Sequence, residues 1–292
     1  MDRRSVLAGL AGLAVAGVGG FALTRLGPSG APTATGGVPG RIVSLSPQLT
    51  ETVFALGAAS RLVGRSPYCT LPPEAVALAS VGTALTPEVE AIVRLRPDLV
   101  LAEATTSIAL DGLASVLQVE RLPWLTAAEA AGSIRTLGAR LGVAAGGLAA
   151  RFAALDLPPA AGPRALVLLG VDEVAKGRAW FVKDGTLHGA ALAAAGLSNA
   201  VPGPVPGPPE LSVERLVAAD PDLILVLEAS PKVDAEGEPV AAQALAALAP
   251  VLRAVRERRV AVLSGPEVLS SGPSILALPQ RLAGSARALG VP

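Results

Sequence analysis

Two stretches of the chain repeat one pattern of surface and buried positions. Residues 89–104, VEAIVRLRPDLVLAEA, and 213–229, VERLVAADPDLILVLEA, each open with apolar residues at helical spacing, halt at Pro-Asp and enter an unbroken apolar run. That pattern predicts a short amphipathic helix feeding a strand buried on both faces. Pro97 and Pro221 cannot continue the helix and mark its end. Leu99-Val100-Leu101 and Leu223-Ile224-Leu225-Val226 then supply the strands. The copies lie 124 positions apart, Glu90 against Glu214, too far for a solenoid, whose units recur every few tens of residues. The duplication therefore predicts two similar lobes.

The remaining pattern alternates in the same way. Arg41 to Leu45 reads as a strand, and Ser46-Pro47 as a helix cap with proline at the first helical position. That helix runs to Leu56 and is closed by Gly57, and a second strand starts at Arg61. Leu117 to Leu122 is a further strand. Thr126 with Glu129 forms a capping box for a helix reaching Leu141, where Gly142 stops it. Val143 to about Leu155 is the expected connecting helix, weakened by Gly146-Gly147 at about 1 kcal/mol each relative to alanine. Beyond Pro158-Pro159, a strand (Arg164 to Leu169) and a helix (Thr186 to Leu197) follow. An extended loop, VPGPVPGPPE, precedes the second copy. A helix from Ala241 to Val255, a strand from Arg259 to Leu263 and a helix from Ser274 to Leu289 complete the chain. Strand–helix alternation in both halves predicts an α/β protein of two three-layer lobes with mainly parallel sheets, joined by a helical connector. Ligands in such sheets bind beyond the carboxyl ends of the strands, so two facing lobes make a cleft.

Composition narrows the chemistry. The 292 residues suit two cores. With 51% hydrophobic and 16% charged residues and zero net charge, the chain is globular, and no basic stripe offers a nucleic-acid footprint. One Cys, Cys69, excludes an internal disulfide, and one His, His188, speaks against a transition-metal site built from several imidazoles. The two are read as a small buried residue and a satisfied imidazole. No nucleophile or acid–base set emerges, so an enzyme is not expected.

The N-terminus has Arg3-Arg4 followed by an uncharged run from Ser5 to Thr24, the layout of an export signal, twin-arginine or general secretory. The run also approaches the roughly 20 apolar residues that span a bilayer, so an uncleaved anchor with membrane contact is the other reading. The expected organisation is a signal or anchor over 1–26, a flexible linker over 27–40, an N-terminal lobe over 41–142, a connecting helix over 143–158 and a C-terminal lobe over 159–292. The mature protein is expected in the periplasm or at the cell surface, as a monomer.

RIVSLSPQLTETVFALGAASRLVGRSPYCTLPPEA and VGTALTPEVEAIVRLRPDLVLA closely resemble the N-terminal lobe of substrate-binding proteins for ABC importers of vitamin B12, ferric siderophores and haem. The likeness extends more weakly through Phe181 to Asn199, the second repeat and SSGPSILALPQRLA. It implies two lobes joined by a helical backbone that limits hinge motion, with the ligand in a groove between them. It also implies that Glu90 and Glu214 each meet an arginine pocket on a permease dimer coupled to its ATPase. By their position alone, the same two residues read equally as first-turn glutamates favoured by the helix dipole, and Glu88 and Glu210 lie near enough to replace them.

The groove contacts implied by the resemblance come from Leu45-Ser46-Pro47, Tyr68, Glu103 to Thr106, Trp180-Phe181 and Ser270 to Pro273. The candidate set is Ser46, Pro47, Tyr68, Glu103, Trp180, Phe181 and Ser271, with Trp180 and Phe181 also readable as core. The implied cargo is a metal complex, a corrinoid such as cobalamin first and a ferric siderophore or haem second, with no other cofactor and no protein metal site. Ala84 and Leu71 depart from aromatic positions of relatives. An exported ligand sensor without an importer is the remaining rival.

Overall fold

Unbroken apolar runs form the strands at the centre of the two parallel sheets, LVLA in the first and ALVLL and LILVL in the second. The computed structural model describes residues 37–104, 108–233 and 240–291. The expected export signal, most of the linker and Thr105-Thr106 of the expected groove lie outside the described residues. In the first half, β1 (Ile42–Ser44), β2 (Leu62–Arg65), β3 (Ala79–Ser80), β4 (Leu99–Glu103) and β5 (Val119–Leu122) make one parallel sheet in the order β3-β2-β1-β4-β5. In the second, β6 (Arg164–Leu169), β8 (Ser198–Asn199), β10 (Leu223–Glu228) and β11 (Val260–Ser264) make another in the order β11-β10-β6-β8, again parallel. A small antiparallel pair, β7 (Arg178–Trp180) with β9 (Glu210–Ser212), was not expected from the sequence; it is too short to show a period. Helices α1 (Pro47–Ala55), α2 (Val89–Arg94) and α3 (Ile108–Ala114) belong to the first lobe. Then α4 (Ala127–Leu141) and α5 (Gly146–Ala153) carry the chain from one sheet to the other. In the second lobe, α6 (Leu187–Ala194), α7 (Val213–Ala219), α8 (Val240–Ala246), α9 (Arg253–Arg256) and α10 (Leu278–Ala288) follow.

The duplicated sequence is a duplicated staple. Asp98 accepts the backbone N–H groups of Gly40 and Arg41 at 2.9 and 2.8 Å, and Arg41 reaches the Leu95 carbonyl. In the other lobe Asp222 accepts the Arg164 N–H at 2.8 Å, and Arg164 reaches the Ala219 carbonyl. Each Pro-Asp thus ties the start of its own strand to the start of the neighbouring one, β1 or β6. Arg96 and Asp220, just before the two prolines, both take left-handed backbone (φ 46° and 35°) to turn from helix to strand.

Several local expectations hold as drawn and others shift. The Thr126–Glu129 capping box is formed, and Gly142 closes α4 in the left-handed conformation. The Ser46 hydroxyl, by contrast, does not cap α1: it is buried and, among the described residues, without a hydrogen-bond partner, and the Ser46 carbonyl instead accepts from both Ser44 and Thr50 hydroxyls. The helix expected from Ala241 to Val255 is broken into α8 and α9, because Pro250 has no N–H to continue it. Gly146-Gly147 open α5 instead of interrupting it, so they fall where helical N–H groups lack partners anyway. One hydrophobic cluster joins Ile42, Leu49 and Leu101 of the first lobe to Leu223 and Leu225 of the second through Ile134, Leu137 and Phe152 of the crossing helices. Trp124 packs edge-on against Phe152, centroids 5.9 Å apart. Arg61 donates to the Leu141 carbonyl at 2.7 Å, fixing the end of α4 to the first lobe.

Candidate functional site

A cleft of about 660 Å³ opens where the carboxyl ends of the two sheets face each other. Gln48 and Glu103, just beyond β1 and at the end of β4, form its first wall. Lys183 and His188 form the opposite wall, with the fully buried Phe181 behind them, and Trp124 with Ser271 closes the back. A larger hollow of about 780 Å³ lies on the flank, around Phe54 and Pro72, and another of about 440 Å³ lies beneath α6, near the start of β6. Neither sits at the carboxyl ends of both sheets, so the cleft is the site the architecture favours.

Its polar groups are held by the fold. Gln48 donates to Glu103 across 2.6 Å, which aims the carboxylate along the wall. Trp124 donates its indole N–H to the Ser271 carbonyl at 2.8 Å, leaving the ring face free to pack. Thr186 caps α6 through the Gly189 N–H and donates to the Lys183 carbonyl, fixing the turn that presents Lys183 and His188. The His188 Nε2 lies 3.1 Å from the Val268 carbonyl. A carbonyl only accepts, so Nε2 carries the proton and Nδ1 is left as a base. Burial pushes the His188 pKa below 6.5, with the Val268 carbonyl acting in the opposite direction, and the ring is neutral at pH 7.

Of the residues singled out in the sequence, Glu103 and Ser271 line this cleft, whereas Phe181 lies behind its wall, fully buried in the core of the second lobe as its other reading had it. Ser46 lies buried behind Gln48 at the start of α1, and Pro47 is exposed beside it. Tyr68 is 71% exposed at the carboxyl end of β2 and does not line the cleft. Trp180 lines a neighbouring 240 Å³ depression that shares Leu169 with the cleft. Glu90 and Glu214 stand exposed in the first turns of α2 and α7, on separate lobes. The Ser212 hydroxyl, and then its own backbone, hold the Glu214 carboxyl below its usual range. Glu88 is exposed, whereas Glu210 sits 3.6 Å from Arg178. Sequence reasoning missed Gln48, Trp124 and Lys183. The signal for Trp124 was its place just past a strand, at the carboxyl end where such sheets bind ligands.

Two parallel α/β lobes, one chain crossing and a cleft at the facing strand ends define a two-lobed α/β architecture with its candidate site between the lobes. Comparison with known proteins gives its likenesses. Residues 42–150 match the family model for periplasmic binding protein. A vitamin B12-binding protein of Vibrio cholerae is 42% identical over 62 residues, covering 21% of this chain and 22% of that relative. The matched stretch is thus about a fifth of the relative's length. The crystal structure of a periplasmic vitamin B12-binding protein of Vibrio cholerae superposes with a TM-score of 0.68 at 23% identity, covering 87% of this chain and 98% of that one. A periplasmic haem-binding protein from Pseudomonas aeruginosa superposes with a TM-score of 0.62 at 28% identity, covering 86% and 92%. These are binding proteins, not enzymes.

Proposed function

We propose that the chain is the extracytoplasmic substrate-binding component of an ABC importer, which holds a metal complex between its lobes and delivers it to a permease dimer. The observation that carries this reading is the 660 Å³ cleft, which sets the exposed side chains of Leu125 and Leu269 against a few polar groups (Gln48, Glu103, Lys183). Such a lining suits a flat macrocycle or chelate more than a bare ion. Among the described residues no cluster of three His, Cys, Asp or Glu side chains could hold a metal ion directly. A corrinoid is the first choice, supported by 42% identity over 62 residues to a vitamin B12-binding protein. Haem is the second, supported by the superposition on a haem-binding protein at 28% identity over 86% of the chain. Export by the N-terminal segment, and its retention as an anchor, belong to the same proposal.

A thermal-shift screen with cyanocobalamin, cobinamide, haemin and a ferric hydroxamate tests it. A ligand at a hundred times its Kd should add about 2.7 kcal/mol of stability and raise the midpoint. Response to zinc or manganese alone, with none to any of the four complexes, refutes the reading.

A further inference from the structure

Glu51, on α1 of the first lobe, is 6% exposed, yet among the described residues it has no cationic partner. Its carboxylate is spent on the other half of the chain. It accepts the Ser270 hydroxyl at 2.7 Å and the backbone N–H of Ser274, at the start of the 3-10 turn Pro273–Ala277. A buried carboxylate served by neutral donors is an expensive way to gain stability, whereas it does specify one geometry. The segment it grips lies between the lobes and forms the back of the cleft: Ser271, inside it, supplies the carbonyl that holds Trp124. The fit is close. A Cβ on Gly272 would meet the Glu51 carboxylate, with its carboxyl carbon at 2.8 Å. The backbone of Gly272 (φ −84°, ψ −165°) is open to any residue, so glycine is needed there for room alone.

We infer that Glu51 is a positioning residue that latches segment 270–274 of the second lobe onto α1 of the first and thereby sets the width of the cleft. The inference rests on reading this cleft as the ligand site. Both readouts of its test are taken without ligand, so they stand or fall independently of the cargo. Cysteines placed at Val116 and Val251, 52% and 55% exposed on opposite lobes, accept spin labels while the fully buried Cys69 does not. The full chain should show a narrow inter-lobe distance distribution and slow amide exchange over 270–277. Glu51→Gln, which loses the second accepting oxygen, and Gly272→Ala, which fills the space of the carboxylate, should each speed that exchange at least about tenfold and broaden the distance distribution, with β10 exchange unchanged. Faster exchange with an unchanged distance distribution would reduce Glu51 to a local loop anchor and overturn the inference, as would unchanged exchange. Should Glu51→Gln speed exchange throughout, β10 included, Gly272→Ala and Ser270→Ala decide by the same two readouts.

Discussion

Removing the carboxylate of one staple measures what the duplicated Pro-Asp contributes. In Asp222→Ala, two bonds disappear: the one from the Arg164 N–H at 2.8 Å and the one from the Arg253 guanidinium at 2.7 Å. A hydrogen bond to a charged acceptor contributes about 1.5–3 kcal/mol. The ion pair is worth less, because both side chains keep about a third of their surface exposed (31% and 34%), and such pairs give about 0.2–1 kcal/mol. The expected loss is therefore about 2–3 kcal/mol. The Arg253 side chain, and then the Arg164 N–H, hold the Asp222 carboxyl below its ordinary 3.8, and Arg253 is raised in turn, so the two partners agree. A depressed carboxyl contributes its stability above pH 3.8 and loses it as pH falls through the lower folded value. The companion Asp98→Ala removes two backbone bonds and no ion pair. Urea unfolding of both variants at low and high salt is the assay. The Asp222 loss should shrink in high salt by its ion-pair share, while the Asp98 loss should barely move. A change under about 0.5 kcal/mol in either variant, the level of an ordinary surface substitution, would refute the staple.

Three further outcomes are expected. Replacing Glu90 and Glu214 by alanine should leave binding of the cargo identified by thermal shift intact and weaken permease docking about ten- to a hundredfold for each carboxylate–arginine pairing removed, read as uptake beside ligand binding; unchanged uptake in the double variant returns both to ordinary first-turn glutamates. Ligand should close the lobes only slightly, because one hydrophobic cluster runs through α4 and α5 from lobe to lobe, and a large fall in the radius of gyration on binding would contradict it. Below pH 6.5 the unfolded chain takes up the His188 proton before the folded one does, so stability is full above that value and declines as pH falls; His188→Gln should flatten this part of the melting-temperature profile, and identical profiles would oppose it.

The lobes, their parallel sheets and most element boundaries were legible in the sequence. Helical and strand periods, prolines and caps act between residues a few positions apart. The Thr126–Glu129 box and the left-handed Gly142 form because their donors and acceptors are neighbours in the chain. The family likeness likewise pointed to Glu103 and Ser271, which line the cleft, and to Phe181, which the structure buries in the core of the second lobe. What closes the back of the cleft was not legible. Trp124 meets Ser271 across 147 positions and Glu51 meets Ser270 across 219, and no local pattern marks either pair. The short β7 and β9 exist only because they pair with each other, and Tyr68 stands on the surface because its turn does. Periodicity decides which face of an element is buried, but the partner across that face is set by packing the two lobes about the crossing helices. Only the tertiary structure decides that, because a side chain's neighbours in space are held by the sum of many weak contacts and not by its neighbours in sequence.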